Sequence, residues 1–126
     1  MYGWAGQRLR VYLNEGRIVK EPLSEEVRLN YLGGRGLNSK VLFDELKPGI
    51  DPLSPDNIFC VAAGPLNGTA ALGSSRWTVS AKSAVAFPGG LGDGNGGGDF
   101  TTELKFAGYD QVIVYGRSPK PVYLWI

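Results

Sequence analysis

Glycine is the feature that most constrains this 126-residue chain, because its 19 glycines cluster most densely between residues 88 and 98. Residues without a Cβ adopt backbone conformations, and permit close approaches, that other residues do not. Consecutive N–H groups in such a segment can line a concave surface that binds phosphate or a metal-bridged diphosphate. The segment lacks the Gly-Lys-Ser or Gly-Lys-Thr of a P-loop and closes no predicted strand of a βαβ unit. An anion site and a hairpin loop without a ligand are therefore equally open.

Charge and hydropathy limit the class of protein. The chain has 43% hydrophobic and 20% charged residues, which is typical of one globular domain. Its 13 Lys and Arg nearly balance its 12 Asp and Glu, so no strong field attracts nucleic acid or an anionic membrane. No apolar stretch is long enough to span a membrane, and the N-terminus does not resemble a signal peptide. We expect a cytoplasmic protein without nucleic-acid or membrane partners.

Two residue types needed for common catalytic sites are scarce. Histidine is absent and Cys60 is the single cysteine. This excludes Ser-His and Cys-His nucleophiles, histidine metal sites and an internal disulfide within the chain. One cysteine also cannot hold zinc or an iron–sulfur cluster by itself. The chain is poorly equipped to act as a catalyst alone.

The hydrophobic periodicity predicts the element order β-β-α-α-β-β-α-β-β. Such an order is typical of an α+β fold with mixed or antiparallel sheets and short helices. The glycine segment is interpreted as a loop between the sixth element and the third helix. The predicted strands are 8–13, 17–20, 58–63, 76–82, 112–115 and 122–125, and the predicted helices follow Ser24 and span 36–46 and 102–107.

Two arginines lie beside glycines or small residues. Arg76 follows Gly-Ser-Ser at the start of a predicted strand, where its planar fork of donors could bind a carboxylate, a phosphate or a ring heteroatom. Local sequence alone favours an ordinary surface arginine at this position. Arg35 lies between Gly33-Gly34 and Gly36, which are interpreted as caps and hinges between two helices.

Six separated blocks of sequence together carry a family resemblance. In order, they are 1–4 (MYGW), 31–37 (YLGGRGL), 51–55 (DPLSP), 62–66 (AAGPL), 76–83 (RWTVSAKS) and 103–110 (ELKFAGYD). The chain resembles the N-terminal domain of the tungsten-containing aldehyde:ferredoxin oxidoreductases from Met1 to Ile126. Six blocks in register are far more specific than one glycine motif.

The resemblance implies a function. Enzymes of that family hold tungsten between two pyranopterins whose phosphates are bridged by magnesium, beside a 4Fe–4S cluster. They oxidise aldehydes to carboxylates and pass electrons to ferredoxin. Residues 1–126 are then a single, partial cofactor-binding domain, with tungsten or molybdenum as the metal. The cluster cysteines and acidic pterin ligands lie on later helical domains or a large subunit, so the isolated chain is expected to be inactive.

The same resemblance assigns four cofactor-binding residues. Arg76 matches the arginine that lies between the cluster and a pterin. Asn95, Gly96 and Gly97 match an Asn-Ser-Gly stretch that meets the pterin phosphates and magnesium, and Asn95 would contact the magnesium through its backbone carbonyl. Gly96 replaces the common serine, which removes any hydroxyl contact there. Asp99 and Thr101 also depart from the usual aromatic residue and glycine.

A second hypothesis is a non-catalytic, oligomeric binding or assembly module that keeps the family fold. Residues 122–126 (VYLWI) form an apolar strand candidate suited to pairing with another chain. A homo-oligomer would follow if the chain acts in isolation. An adjacent gene for the cysteine-bearing helical domains would favour the enzyme instead.

Overall fold

The computed structural model describes residues 3–86 and 89–126. Met1 and Tyr2, in the first block of the resemblance, and Pro88, at the start of the glycine segment, lie outside the described residues. The described residues form six strands and three helices. In chain order these are β1 Gln7–Tyr12, β2 Arg17–Pro22, α1 Glu25–Asn30, α2 Arg35–Glu45, β3 Ile58–Ala63, β4 Trp77–Lys82, β5 Leu91–Gly96, α3 Phe100–Phe106 and β6 Gln111–Tyr115.

The strands form one mixed sheet with the order β2-β1-β6-β3-β4-β5. Among the described strands, β1 and β6 run parallel and every other neighbouring pair is antiparallel. The last of the described strands therefore lies inside the sheet, between the N-terminal hairpin and β3. The expected α+β fold with a mixed sheet and short helices is confirmed.

Helices α2 and α3 pack on opposite faces of the sheet. They contact different residues of the same strands, because successive strand residues point to opposite sides. On one face, Val41 and Leu42 of α2 pack with Ile58, Cys60 and Ile113. The other face has a separate cluster formed by α3, β1 and β6, whose members are Leu9, Val11, Leu104, Tyr109 and Val112. None of the helices in residues 3–86 and 89–126 is both long and apolar enough to cross a membrane.

Two parts of the predicted element order are wrong. Residues 91–96 were expected in a loop but form β5, which pairs with β4 from Lys82↔Leu91 to Trp77↔Gly96. Glycine disfavours a strand locally, and the long ladder with β4 overrides that preference. Residues 122–125 were expected to form a strand but have no regular structure. Both edges of β6 are already paired, and Pro119 and Pro121 remove backbone donors from the segment after it.

A buried ion pair ties the N-terminal segment to the start of β6. The Asp110 side chain is fully buried, and its carboxylate accepts hydrogen bonds from the backbone N–H groups of Ala5 at 3.0 Å and Gly6 at 2.7 Å. The Lys105 ammonium contacts Asp110 Oδ1 at 2.6 Å and also donates to the Gly3 carbonyl. These contacts hold residues 3–6 against the end of α3.

Glycines fix the start of α2 against the end of β3, a contact that their interpretation as caps and hinges between two helices did not include. Gly33 has a φ of +82°, and a Cβ there would lie 2.8 Å from the Ala63 carbonyl oxygen. Gly34, the residue before α2, donates its N–H to the same carbonyl at 2.9 Å. Because glycine alone tolerates both the backbone angle and the close approach, the helix begins directly beside the sheet.

We predict that Cys60 is unreactive in the folded protein. Its side chain is fully buried on β3, and this burial raises the pKa of the Cys60 thiol to about 12. Alkylation by iodoacetamide at pH 8 should be at least about a hundredfold slower than in the unfolded chain, because the thiolate is the nucleophile. An Ala70→Cys variant places a control thiol at an exposed position. Comparable labelling rates for the two cysteines would contradict the prediction.

Candidate functional site

The pairing of β4 with β5 brings the four sequence-predicted residues together. Trp77 is opposite Gly96 and Thr78 is opposite Asn95 in the ladder. Arg76, which directly precedes β4, therefore lies beside Gly97, which directly follows β5. We call Arg76, Asn95, Gly96 and Gly97 the β4–β5 corner. Residues distant in sequence become one surface because these strands are neighbours.

Arg76 combines a fixed backbone with an exposed side chain. Its carbonyl oxygen accepts a hydrogen bond from Asn67 Nδ2 at 3.1 Å. Its side chain is exposed, and within residues 3–86 and 89–126 no carboxylate forms an ion pair with its guanidinium. A guanidinium carries its charge at every physiological pH and presents several donors in one plane. The side chain can therefore bind an anionic or heteroatom-bearing ligand.

Asn67 holds this backbone in place, and sequence reasoning missed it. The side chain is 3% exposed. Its Oδ1 accepts from the Gly64 N–H at 2.8 Å, and its Nδ2 donates to Thr101 Oγ1 at 2.6 Å as well as to the Arg76 carbonyl. One amide thus connects the end of β3, the start of β4 and the start of α3. An Asn three residues after Gly64, in a Gly-Pro turn, was the available signal.

Asn95 lies on the exposed edge strand and is oriented by its neighbour on β4. Thr78 Oγ1 donates a hydrogen bond to Asn95 Oδ1 at 3.1 Å. The same hydroxyl lies 3.4 Å from where a Cβ on Gly34 would be, so the start of α2 is close to this pair. The Asn95 side chain is thereby fixed on the face of the sheet that α2 covers.

Trp77 contacts both Gly96 and Gly97. Its indole Nε1 donates to the Gly97 carbonyl at 3.1 Å. This hydrogen bond already pairs the Gly97 carbonyl. A Cβ on Gly96 would lie 2.8 Å from the same nitrogen, which is closer than real Cβ atoms come. By contrast, a Cβ added to Gly97 or Gly98 would meet no atom within 4 Å, so this backbone borders open space.

A chain of polar side chains links the core to the edge of the sheet. The fully buried Gln111 donates from Nε2 to Asn38 Oδ1 at 2.9 Å, and Asn38 Nδ2 donates to Ser80 Oγ at 3.1 Å. Ser80 donates to Asp93 Oδ1 at 3.2 Å, and the same carboxylate accepts from Arg35 Nε at 2.8 Å. Arg35 thus joins α2 to β5, which supports the structural interpretation of its glycine-rich neighbourhood.

The shifted carboxyl pKa values lie elsewhere on the molecule. Burial tends to raise the pKa of Glu45, but hydrogen bonds from Arg10 and Tyr115 outweigh burial and lower the pKa below its usual value. In the described part of the chain, no group of three or more His, Cys, Asp or Glu residues could hold a metal ion. The β4–β5 corner offers a permanent positive charge and backbone groups, which can bind and orient a ligand.

Comparison with known proteins gives one consistent family. The family model described as "Aldehyde ferredoxin oxidoreductase, N-terminal domain" matches residues 8–126. The tungsten-containing aldehyde ferredoxin oxidoreductase of Pyrococcus furiosus is 46% identical over 126 residues, covering 100% of this chain and 20% of the relative. The corresponding protein of Thermococcus kodakarensis is 44% identical with the same coverage.

Proteins named for other activities are also similar to this chain in sequence or fold. An aliphatic sulfonate oxidoreductase, WOR-like subunit, of Pyrococcus furiosus is 33% identical over 129 aligned residues, again covering 100% of this chain and 20% of the relative. A solved structure of the active-site complex BamBC of benzoyl coenzyme A reductase with 1,5-dienoyl-CoA matches with a TM-score of 0.94 and 40% identity. That match covers 99% of this chain and 19% of the solved chain. The chain spans about a fifth of the length of the curated relatives it matches.

Proposed function

The chain belongs to the aldehyde ferredoxin oxidoreductase family, as its N-terminal domain, and from that premise we propose that the β4–β5 corner binds a tungsten–pterin cofactor. The complete enzyme would oxidise aldehydes to carboxylates and pass the electrons to ferredoxin. Residues 1–126 would form one partial domain of it, and the later helical domains or a large subunit would complete the active site.

The observation that carries the proposal is the position of Arg76 beside the glycine-rich end of β5, with no ion pair to its guanidinium from the described residues 3–86 and 89–126. Oxygen-rich anions such as pterin phosphates are bound by a planar guanidinium and by backbone N–H groups. The open space next to Gly97 and Gly98 leaves room for such a ligand. The donor set of the corner therefore fits the phosphates and heteroatoms of the cofactor.

When bound, the tungsten–pterin group supplies the redox chemistry. Arg76 would hold the cofactor through its fork of donors, and Asn95 would offer its backbone carbonyl to a magnesium ion. Thr78 keeps the Asn95 side chain oriented while it does so. Molybdenum in place of tungsten would leave these roles unchanged.

An iron–sulfur cluster would need ligands from beyond residues 1–126. Cys60 is buried beneath α2, and its raised pKa keeps the thiol protonated. A cluster requires several thiolates, so we assign the 4Fe–4S cluster to the domains that complete the enzyme. The isolated chain would then bind part of the cofactor without turnover.

The alternative function, an oligomeric assembly module, stays a second proposal. Its strand candidate for pairing with another chain, residues 122–126, pairs with no strand among the described residues 3–86 and 89–126. Tyr123 and Trp125 are nevertheless exposed at 84% and 88%. Assembly of the isolated chain into a homo-oligomer, and a cytoplasmic location, stay predictions.

We expect Arg76→Ala to lower the tungsten content or the aldehyde-dependent turnover of the complete enzyme at least about tenfold, since loss of a charge-assisted contact costs about 1.5–3 kcal/mol. Tungsten is measured by elemental analysis of protein grown anaerobically with tungstate, and turnover by reduction of a viologen dye. The melting temperature should change by less than about 4 °C, because the side chain is exposed.

Arg117→Ala is the matched control, since it removes another exposed arginine away from the corner. Arg76→Lys keeps the charge but loses the planar fork, and it should restore only part of the loss. Tungsten content and turnover equal to wild type in Arg76→Ala would contradict the role of Arg76. A wild-type enzyme from the same culture with neither tungsten nor molybdenum would contradict the proposed function itself.

A further inference from the structure

We infer that Trp77 is a positioning residue of the β4–β5 corner, whose indole holds Gly96 and Gly97 in place beside Arg76. This inference rests on the proposed function, because the segment that Trp77 holds is the one assigned to the cofactor phosphates. Trp77 itself need not touch the cofactor. It acts by restricting the backbone of Gly96 and Gly97, which have no side chains that could make restricting contacts of their own.

Trp77 Nε1 donates a hydrogen bond to the Gly97 carbonyl. This bond spans 3.1 Å and joins the first residue of β4 to the first residue after β5. Gly97 lies beyond the last paired position of the ladder, Trp77↔Gly96. Because glycine has the greatest backbone freedom, residues 97–98 would sample many conformations without such an anchor. The indole therefore restricts the backbone at the point where a ligand would approach.

The indole also packs directly against Gly96. A Cβ on Gly96 would lie 2.8 Å from Trp77 Nε1 and would overlap the ring carbons Cε2 and Cζ2. Any side chain at position 96 and the observed indole position therefore exclude each other. The absence of a side chain at Gly96 is what admits the indole, so Trp77 and Gly96 form a matched pair.

The far side of the ring is also supported. Phe100, the first residue of α3, packs edge-to-face against Trp77 with ring centroids 6.2 Å apart and an interplanar angle of 69°. This geometry is favourable for aromatic pairs. The next residue, Thr101, receives the hydrogen bond from Asn67 that also braces the Arg76 carbonyl. The indole is thus held between α3 and β5, and its orientation is fixed before a cofactor binds.

Trp77→Phe in the complete enzyme tests the inference, because it removes the Nε1 donor and keeps an aromatic strand residue. We expect amide hydrogen exchange at residues 97–99 to become about fivefold faster, and tungsten retained after dialysis to fall by a similar factor. The melting temperature should stay within about 4 °C of wild type. Trp125→Phe is the matched control, since Trp125 is 88% exposed and outside the corner. A merely structural role would change the melting temperature without a selective change in exchange or retention.

A second pair of variants tests the matched fit. Gly96→Ser should displace the indole and lower tungsten retention at least about fivefold, whereas in a Trp77→Val background, which already lacks the indole, Gly96→Ser should lower it little further. Unchanged exchange and retention in Trp77→Phe would overturn the positioning role while leaving the proposed function intact. A wild-type enzyme with neither tungsten nor molybdenum would instead overturn the proposed function, and with it the role of Trp77 toward a cofactor.

Discussion

Replacing Asp110 with alanine should destabilise the folded chain by about 3–5 kcal/mol, the range measured when one partner of a buried ion pair is removed. Asp110 is fully buried and the Lys105 side chain is 8% exposed. The variant would leave a buried ammonium without its counter-charge. It would also leave the N–H groups of Ala5 and Gly6 without their acceptor. Such a loss is a large fraction of the 5–15 kcal/mol that typically stabilises a domain.

Urea denaturation followed by circular dichroism measures this effect. Asp56→Ala is the matched control, because Asp56 is exposed and should change the free energy of unfolding by less than about 0.5 kcal/mol. The double variant Lys105→Met/Asp110→Leu removes both charges and should be more stable than Asp110→Ala. A free energy of unfolding for Asp110→Ala within about 1 kcal/mol of wild type would contradict the structural role of the pair.

Gly33→Ala should cost about 2–4 kcal/mol for two separable reasons. The backbone at Gly33 has a φ of +82°, a conformation that costs an L-residue about 1–2 kcal/mol. The added Cβ would also lie 2.8 Å from the Ala63 carbonyl oxygen and 3.0 Å from Pro65 Cδ. Both neighbours belong to the end of β3 and the turn after it, which have little freedom to move. We therefore expect α2 to shift away from the sheet or the fold to weaken.

Gly49→Ala separates the two contributions. Gly49 has a similar φ of +78°, but a Cβ there would meet no atom within 4 Å. Its cost should be that of the backbone conformation alone, about 1–2 kcal/mol. Thermal denaturation of both variants gives the difference. Equal destabilisation by Gly33→Ala and Gly49→Ala would show that the contact between Gly33 and Ala63 contributes nothing.

Local sequence patterns predicted most elements of this fold. The alternation in 8–13 and the continuous apolar run in 58–63 correspond to β1 and β3, and Ser24 caps α1 by accepting from the Val27 N–H. Strand β5 was missed because glycine carries no strand signal, and its formation depends on β4, a partner distant in sequence. The strand prediction for residues 122–125 was wrong for a different reason. Their apolar pattern is typical of a strand, but it does not indicate whether a free sheet edge is available for pairing.

The candidate site was less accessible to local reasoning. The residues next to Arg76 in sequence do not distinguish it from an ordinary surface arginine. Asn95, Gly96 and Gly97 could be assigned a role only through the family resemblance. The structure adds that both parts meet at one corner, because β4 and β5 are neighbours. Asn67 and Trp77 went unnoticed because their roles consist of contacts with residues 9 to 34 positions away in sequence. Such contacts leave almost no mark on the local sequence.

The central position of β6 has a consequence for how the chain folds during synthesis. Of the six described strands, the ribosome makes β6 last, and among them β6 alone connects the β2-β1 hairpin to the β3-β4-β5 half of the sheet. The hairpin at the N-terminus must therefore wait for about a hundred residues of translation before its parallel neighbour exists. Contacts of such long sequence separation slow folding and leave strand edges open to aggregation in the meantime. The charged Arg17, Lys20 and Glu21 on β2 help to protect the outer edge of the waiting hairpin.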